Sequence, residues 1–247
     1  MGNHGCNKCG QPWVACHCER TPRARRGSMD NEQRCGVTFI DAQLATKTVI
    51  EKHYLHRKSS VVHAVGLFRN SDLVGVIIVG VPASRHVQMG ACPSAPDKVL
   101  ELNRLWVCDS MPTNTETYFI ARALRLLPPA IVVSYADTLQ GHMGIMYRAA
   151  NFYYAGWTDM ERKTARYDYL APGKHTRDAF RSGLGAKSEK RRRKPKVKYW
   201  TVTGSQYYKR VLRKLCAWPM LSWEELPPPT EHKQCVNGKD CPTWHAK

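Results

Sequence analysis

The chain has little acid. Against 38 Lys and Arg it carries 20 Asp and Glu, for a formal net charge of +18 and a pI near 9.7 over 247 residues. A surface so short of anions points to an anionic polymer as partner, nucleic acid first. Long apolar runs are missing too. None reaches the roughly 18 residues that a membrane-spanning helix needs. The opening stretch MGNHGCNKCG has no apolar signal core, which predicts a cytosolic protein without a membrane partner. No internal repeat has a convincing period. A hydrophobic fraction of 43% nevertheless excludes a wholly disordered chain, and the length suits one α/β domain with tails.

Cysteine is plentiful, with ten residues. A disulfide scaffold suits a small secreted chain, whereas clustered cysteines in a reducing compartment point to metal. Residues 1–34 form a Cys/Gly/Arg-rich head with almost no aliphatic content. Within it Cys6, Cys9, Cys16 and Cys18 offer four thiolates that can enclose tetrahedral zinc. The Cys16-x-Cys18 half is tight, so His4 or His17 is an alternative ligand; the competing reading is an inert tail. His232, Cys235, Cys241 and His245 make a second four-ligand set near the C-terminus. Cys35, Cys92, Cys108 and Cys216 are isolated and read as structural.

Residues 35–175 hold most of the apolar periodicity. Ala42–His56 reads as a helix. Val61–Arg69 and Leu73–Val81 are β-branched runs about the turn Asn70–Ser71–Asp72, a hairpin. Val99–Cys108 reads as a strand, Glu116–Leu127 as a helix capped by Asn114 or Thr115, and Ala130–Asp137 as a buried strand. Gly141–Asn151 reads as a helix, and Phe152–Thr158 and Tyr167–Leu170 as closing strands. The order is that of an α/β domain with a mixed central sheet. Residues 176–247 read as a separate basic extension.

This order resembles the GNAT acyltransferase core. HYLHR (His53–Arg57), ELNRLWV (Glu101–Val107), SYAD (Ser134–Asp137) and GHMGIMYRAANFYYAGWT (Gly141–Thr158) together resemble the Mom family of phage DNA-modification proteins, over roughly residues 40–175. The resemblance implies a transferase that converts adenine in double-stranded DNA to its carbamoylmethyl (acetamido) derivative at the exocyclic amino group. Such a product shields phage DNA from host restriction enzymes and is made in the host cytoplasm. The resemblance also implies acetyl-coenzyme A and iron(II) as cofactors, and it leaves a homodimer open.

A GNAT-like core would splay the strand Leu102–Val107 from Ile131–Ser134, so that the acyl chain enters between them. Backbone groups near Arg104, Leu105 and Val107 would then meet the pantetheine amides. The helix beginning at Asn114–Thr115 would offer free N–H groups to the pyrophosphate. The expected Gly-rich loop is missing, since Met111–Thr117 has no glycine. Hydroxyls of Thr113, Thr115 and Thr117 would have to substitute. Arg104, inside an apolar strand, needs an anion: either Glu101 or Asp137, or a phosphate, thioester or DNA backbone. Asp137 ends a buried strand, where it is either an N-cap for the next helix or a metal ligand or general base.

His53, Tyr54 and Asp137 are of the donor types that suit iron, and the resemblance places essential residues at these motifs. On one helix His53 and Tyr54 would point apart; they converge only if the helix ends there. His142 is a further candidate. Tyr147 sits where GNAT enzymes hold a tyrosine that protonates the departing thiolate. Acyl transfer alone yields an N-acetyl group, whereas a carbamoylmethyl group is joined through its methyl carbon and carries another nitrogen. Acid–base catalysis does not reach it, which argues for a redox-capable metal.

From Arg177 to Lys214 the chain has 14 Lys and Arg against Asp178 and Glu189. Arg191, Arg192, Arg193, Lys194, Lys196 and Lys198 are the densest part, followed by Tyr199, Trp200, Tyr207 and Tyr208. Such a run suits phosphate contact with base stacking, or else is a solvated tail. Three other functions stay open: acylation of a different amine (a tRNA base or a protein), a non-catalytic DNA-binding module, and a zinc-dependent regulator.

Overall fold

The computed structural model describes residues 35–138, 141–158, 164, 166–170 and 189–226. Both proposed zinc sets, in the head and near the C-terminus, lie outside the described residues.

Strands β1 (Cys35–Phe39), β2 (His63–Arg69), β3 (Asp72–Gly80), β4 (Val99–Val107), β5 (Ile131–Asp137), β6 (Tyr153–Trp157) and β9 (Lys196–Val202) form a seven-stranded sheet in the order β1-β2-β3-β4-β5-β9-β6. β7 (Tyr167–Leu170) and β8 (Glu189–Arg192) pair separately. The helices are α1 (Ala42–Lys52), α2 (Arg85–Ala91), α3 (Thr115–Leu126), α4 (Ile145–Ala149) and α5 (Gln206–Leu215). No helix among the described residues is long and apolar enough to cross a membrane.

The sheet is mixed, as expected. All its strand pairs are antiparallel except β4 with β5. One face packs against α3 and α4 through Leu67, Phe119, Ile120, Val132 and Tyr199. The other carries two smaller cores, one with α1 (Ala45, Val49, Val76, Ile78) and one beside α5 (Ile131, Val133, Trp200, Val202, Leu212). The β2–β3 hairpin forms at the expected turn, where Asn70 takes φ 56°, a conformation asparagine tolerates.

Several elements differ from expectation. α1 stops at Lys52, not His56, and its start is fixed by Asp41, whose carboxylate accepts from Gln43 N at 2.8 Å and Leu44 N at 3.0 Å. α3 begins at Thr115, but Asn114 is left-handed (φ 71°) and makes no side-chain cap. Asp137 is not a helix N-cap, because only Ile145–Ala149 of the 141–151 segment is helical. Gly144 (φ +77°) starts α4, and a Cβ there would strike the Tyr199 ring. Tyr167–Leu170 closes no edge of the main sheet.

The largest correction concerns the boundary at residue 175. β9 comes from the supposed basic extension yet lies between β5 and β6, bonded to β5 along its whole length. Its alternation explains the burial: Val197 and Tyr199 enter the α3/α4 core, and Trp200 and Val202 the opposite one. Trp200 is fully buried and donates from Nε1 to the Pro219 carbonyl at 3.0 Å. Trp200→Ala is therefore expected to cost about 3–5 kcal/mol. Urea unfolding measures it, and a loss below about 1 kcal/mol would make β9 peripheral.

Candidate active site

β4 and β5 pair for only three residues, Val99–Glu101 with Ile131–Val133. Beyond them β5 continues with β9 and β4 with β3, so the two strands part. Ser134 closes the apex of the gap. Its buried Oγ–H donates to Tyr147 Oη at 2.8 Å, with the Leu102 carbonyl at 3.3 Å as alternative acceptor. Tyr147 is enclosed by Phe152 and Tyr199, and burial pushes its phenol up to about 12. A phenol held so far up is a hydrogen-bond donor at neutral pH and a weak source of free protons.

Register places the charged residues on one face. A β-bulge in the β3–β4 pairing puts Leu102 opposite Val79 and Arg104 opposite Ile78, skipping Asn103. Glu101 and Arg104, three residues apart, thereby face the same side of the sheet, which a regular strand forbids. In β5, Tyr135 and Asp137 share that side, and directly opposite them in β9 are Lys198 and Lys196. Lys196 Nζ lies 2.8 Å from Asp137 Oδ2. Lys196, expected to contact DNA, is thus also a member of this cluster.

His53 and Tyr54 complete it from beyond the end of α1. His53 is the C-cap, with extended backbone, and its N–H returns to the Val49 carbonyl at 3.0 Å. With the helix ended, the two rings stack at 4.3 Å between centroids, and Tyr54 meets His142 edge-on at 5.9 Å. His53 is buried; desolvation, then the Arg104 charge, pushes its imidazolium down to about 4. The neutral ring accepts the Leu55 N–H on Nδ1 at 3.1 Å, so its proton sits on Nε2. Tyr54 is pushed up by burial and by Asp137.

Arg104 makes neither expected ion pair. Nη1 donates to the Asn103 carbonyl at 2.6 Å, and Nε is buried with no partner. Burial and the nearby Arg57 charge hold the guanidinium below its usual range. Glu101 is the residue that sequence reasoning undervalued. Its carboxyl is raised chiefly by burial, against a backbone hydrogen bond from Ala83 and the charges of Arg104 and Lys196. Its pairing with Val133 puts it on the face of Tyr135 and Asp137, the bulge brings Arg104 to the same face, and nothing in the sequence marks either.

The parted strands leave the β5-facing edge of β4 beyond Glu101, including Leu105 and Val107, without a strand partner among the described residues. An extended pantetheine chain fits there. The phosphate end fits less well. Thr115 Oγ1 is buried and already donates to the Pro112 carbonyl at 2.6 Å, and Glu116 adds an anion to the first turn of α3. Backbone N–H groups near Asn114, with Thr113 and Thr117, remain. The iron(II) expectation finds no support in this arrangement. His53 offers Nε2 as N–H, Tyr54 disfavours its phenolate, and Asp137 Oδ2 is held by Lys196. Among the described residues, no three His, Cys, Asp or Glu side chains form a metal site.

Of the other expected DNA contacts, Arg191 and Arg192 are exposed on β8, while Arg193 and Lys194 lead into β9 half-buried.

Comparison with known proteins places this geometry. The profile of the Mom protein family matches residues 34–215. Methylcarbamoylase mom of Escherichia phage Mu is 36% identical over 128 residues, covering 49% of this chain and 53% of that relative. The match thus spans about half the length of the curated relative. Among solved structures, a GNAT-family acetyltransferase from Bacillus cereus aligns at TM-score 0.40 and 11% identity, over 70% of this chain and 99% of the other. An acetyltransferase from Bacillus subtilis in complex with CoA aligns at TM-score 0.36 and 10% identity, over 68% and 97%.

The His53 environment has a measurable consequence. Its folded value of about 4 lies below the ordinary 6.5, so between them the unfolded chain binds more protons. Stability present above the unfolded value is lost as pH falls from about 6.5 through about 4. The loss should reach about 2 kcal/mol by pH 5. His53→Gln should flatten this slope in urea titrations at pH 7.5 and 5, and an unchanged slope would show that His53 charges freely in the fold.

Proposed function

Because the chain belongs to the Mom protein family, we propose that it modifies the exocyclic amino group of adenine in DNA by methylcarbamoylation, with an acyl-coenzyme A in the β4–β5 seam. The observation that carries this reading is the coincidence of an opened seam with a one-sided cluster of Glu101, Arg104, Asp137 and Lys196 beside His53 and Tyr54.

The adenine amine is uncharged at neutral pH, and its lone pair is delocalised into the ring. In becoming N–CH2–C(=O)NH2 it gives up one N–H proton. The oxidant that takes two electrons from the methyl C–H and the donor of the amide nitrogen are separate co-reactants, and the residues of the cluster act only on that proton and on the position of the substrates. Glu101 is suited to take the proton, because a half-buried carboxyl with raised proton affinity accepts one more readily than an exposed carboxyl does. Lys196 holds the Asp137 carboxyl in place, and Asp137 and the Nε2–H of neutral His53 are positioned to hold polar edges of a base. Tyr54, 44% exposed, offers a ring face for stacking. Arg104 Nε, buried and unpartnered, is a ready donor to an acyl oxygen. Ser134 and Tyr147 hold the apex of the seam beneath it. Reaching the amino group inside a duplex requires that the base leave the stack. Arg191 and Arg192 on β8, with Arg193, Lys194 and Lys198, add phosphate contacts to this reading. Protection of the DNA from restriction would follow from the changed base.

Mass spectrometry of nucleosides from DNA of expressing cells tests it. The expected result is an adenine derivative heavier by a carbamoylmethyl group, reduced about 10²–10⁴-fold in Glu101→Gln with far-UV circular dichroism unchanged. Undiminished product in Glu101→Gln removes that residue as the base. Unmodified DNA with altered tRNA nucleosides would move the substrate to a tRNA amine.

A further inference from the structure

α5 lies outside the cluster described above and has no part in the chemistry. In ten residues it carries Lys209, Arg210, Arg213 and Lys214 and no acid. Arg210, Arg213 and Lys214 are exposed. At its start Tyr207 and Tyr208 are 67% and 49% exposed, their rings edge-on at 5.5 Å. Only Leu212 is buried against the sheet.

Direction gives the helix its meaning. β9 ends at Val202 and α5 folds back along it, so the residues after α5 return beside the middle of β9. Ala217 N donates to the Ala91 carbonyl at 2.8 Å, and the Pro219 carbonyl takes the Trp200 indole. Trp218 lies under Lys198, with Nζ 5.3 Å from the ring centroid, and meets Tyr135 edge-on at 6.2 Å. Lys198 and Tyr135 share their sheet face with Lys196 and Asp137. The cations of α5 therefore lead, by way of Trp218 and Lys198, to the cluster.

We propose that α5 is a track for the sugar–phosphate backbone of DNA, delivering a strand toward Asp137; this rests on DNA being the substrate. Ten helical residues span about 15 Å, about four phosphate steps of one strand measured along the duplex axis. A helix with four cations and no anion is complementary to that polyanion. The surface does not require the charge run on β8.

The test uses the full chain and a duplex oligonucleotide, with fluorescence anisotropy from 50 to 300 mM salt. The variant is Lys209→Gln, Arg210→Gln and Lys214→Gln together; Arg213 is spared because its guanidinium lies 5.7 Å over the Tyr153 ring. The slope of log affinity against log salt should become shallower by two to three, at about 0.9 per lost contact. The charge-conserving set Lys209→Arg, Arg210→Lys and Lys214→Arg should restore it. An unchanged slope in the Gln variant overturns the proposal, as does equal loss in the charge-conserving set with far-UV circular dichroism unchanged, because the loss would then not follow charge. Loss of binding to phosphatidylserine vesicles with duplex binding intact would make α5 a membrane surface and also overturn it. Nucleoside mass spectrometry on wild type separates the two readings. Modified adenine with an α5-independent slope sinks the track alone, and α5-dependent binding without modified adenine sinks the activity alone.

Discussion

The structure turns on a parallel pairing that stops after three residues. β4 and β5 are held together at Val99–Glu101 and then diverge, each bonded to an antiparallel neighbour on its other side. Without those neighbours the free edges would close on each other or aggregate. The divergence is therefore fixed by β3 on one side and β9 on the other. At its apex the backbone ladder is replaced by side chains, with Ser134 Oγ between the Leu102 carbonyl and the Tyr147 phenol. Tyr147 in turn stands on α4, whose first residue follows Gly144. The Tyr199 ring packs against that glycine, and Tyr199 donates its phenolic proton to the Met143 carbonyl. Tyr199 belongs to β9, so the strand farthest along the sequence sets the width of the gap that the proposed donor enters.

The same strand governs the electrostatics. Alternation gives β9 two inventories: Val197 and Tyr199 for the core on one side, Lys196 and Lys198 for the charged face on the other. Lys196 holds Asp137, and its charge also moderates the raised carboxyl of Glu101. The bulge in β4 brings Arg104 to that face as well, where its charge helps keep His53 neutral. Two carboxylates, a lysine and an arginine share a partly buried surface, so removing one partner would leave the others uncompensated at a cost larger than a surface ion pair's.

Much of the fold was legible. The β2–β3 hairpin announced itself by Asn70–Ser71–Asp72, β4 and β5 by their apolar runs, and α3 by its position between Pro112 and Pro128. These are local signals, each confined to one segment. What stayed hidden depends on distant residues. β9 reads KVKYWTV, and its lysines joined it to the preceding arginines as a charge run, although Val197 and every residue from Tyr199 to Val202 are buried. α4 is shorter than its sequence allows because Gly144 is placed by Tyr199, more than fifty positions away. For the site, the residue types in His53–Tyr54 and Asp137 were legible, but their meeting depended on α1 ending at Lys52. Glu101 could not be assigned, since its place beside Asp137 depends on the β4–β5 register, and the arrival of Arg104 on that face depends on a bulge, neither of which composition marks.

This division carries an argument about reading basic segments. Lysine in a strand adds charge to whatever its face presents, and its long stem lets the ammonium reach a partner while the backbone stays in the sheet. In β9 the partners are the Asp137 carboxylate and the Trp218 ring, both supplied from elsewhere in the chain. A cation count over residues 177–214 therefore mixes cations of different employment. Those of β9 serve the sheet and its cluster, whereas Arg210 and Lys214 on α5 face solvent beside no acid of their own helix. Burial and register, rather than density of charge, separate the two. On that criterion the exposed cations among the described residues of that stretch are Arg191 and Arg192 of β8 together with Arg210, Arg213 and Lys214 of α5, rather than the lysines of β9, and a polyanion would meet those first.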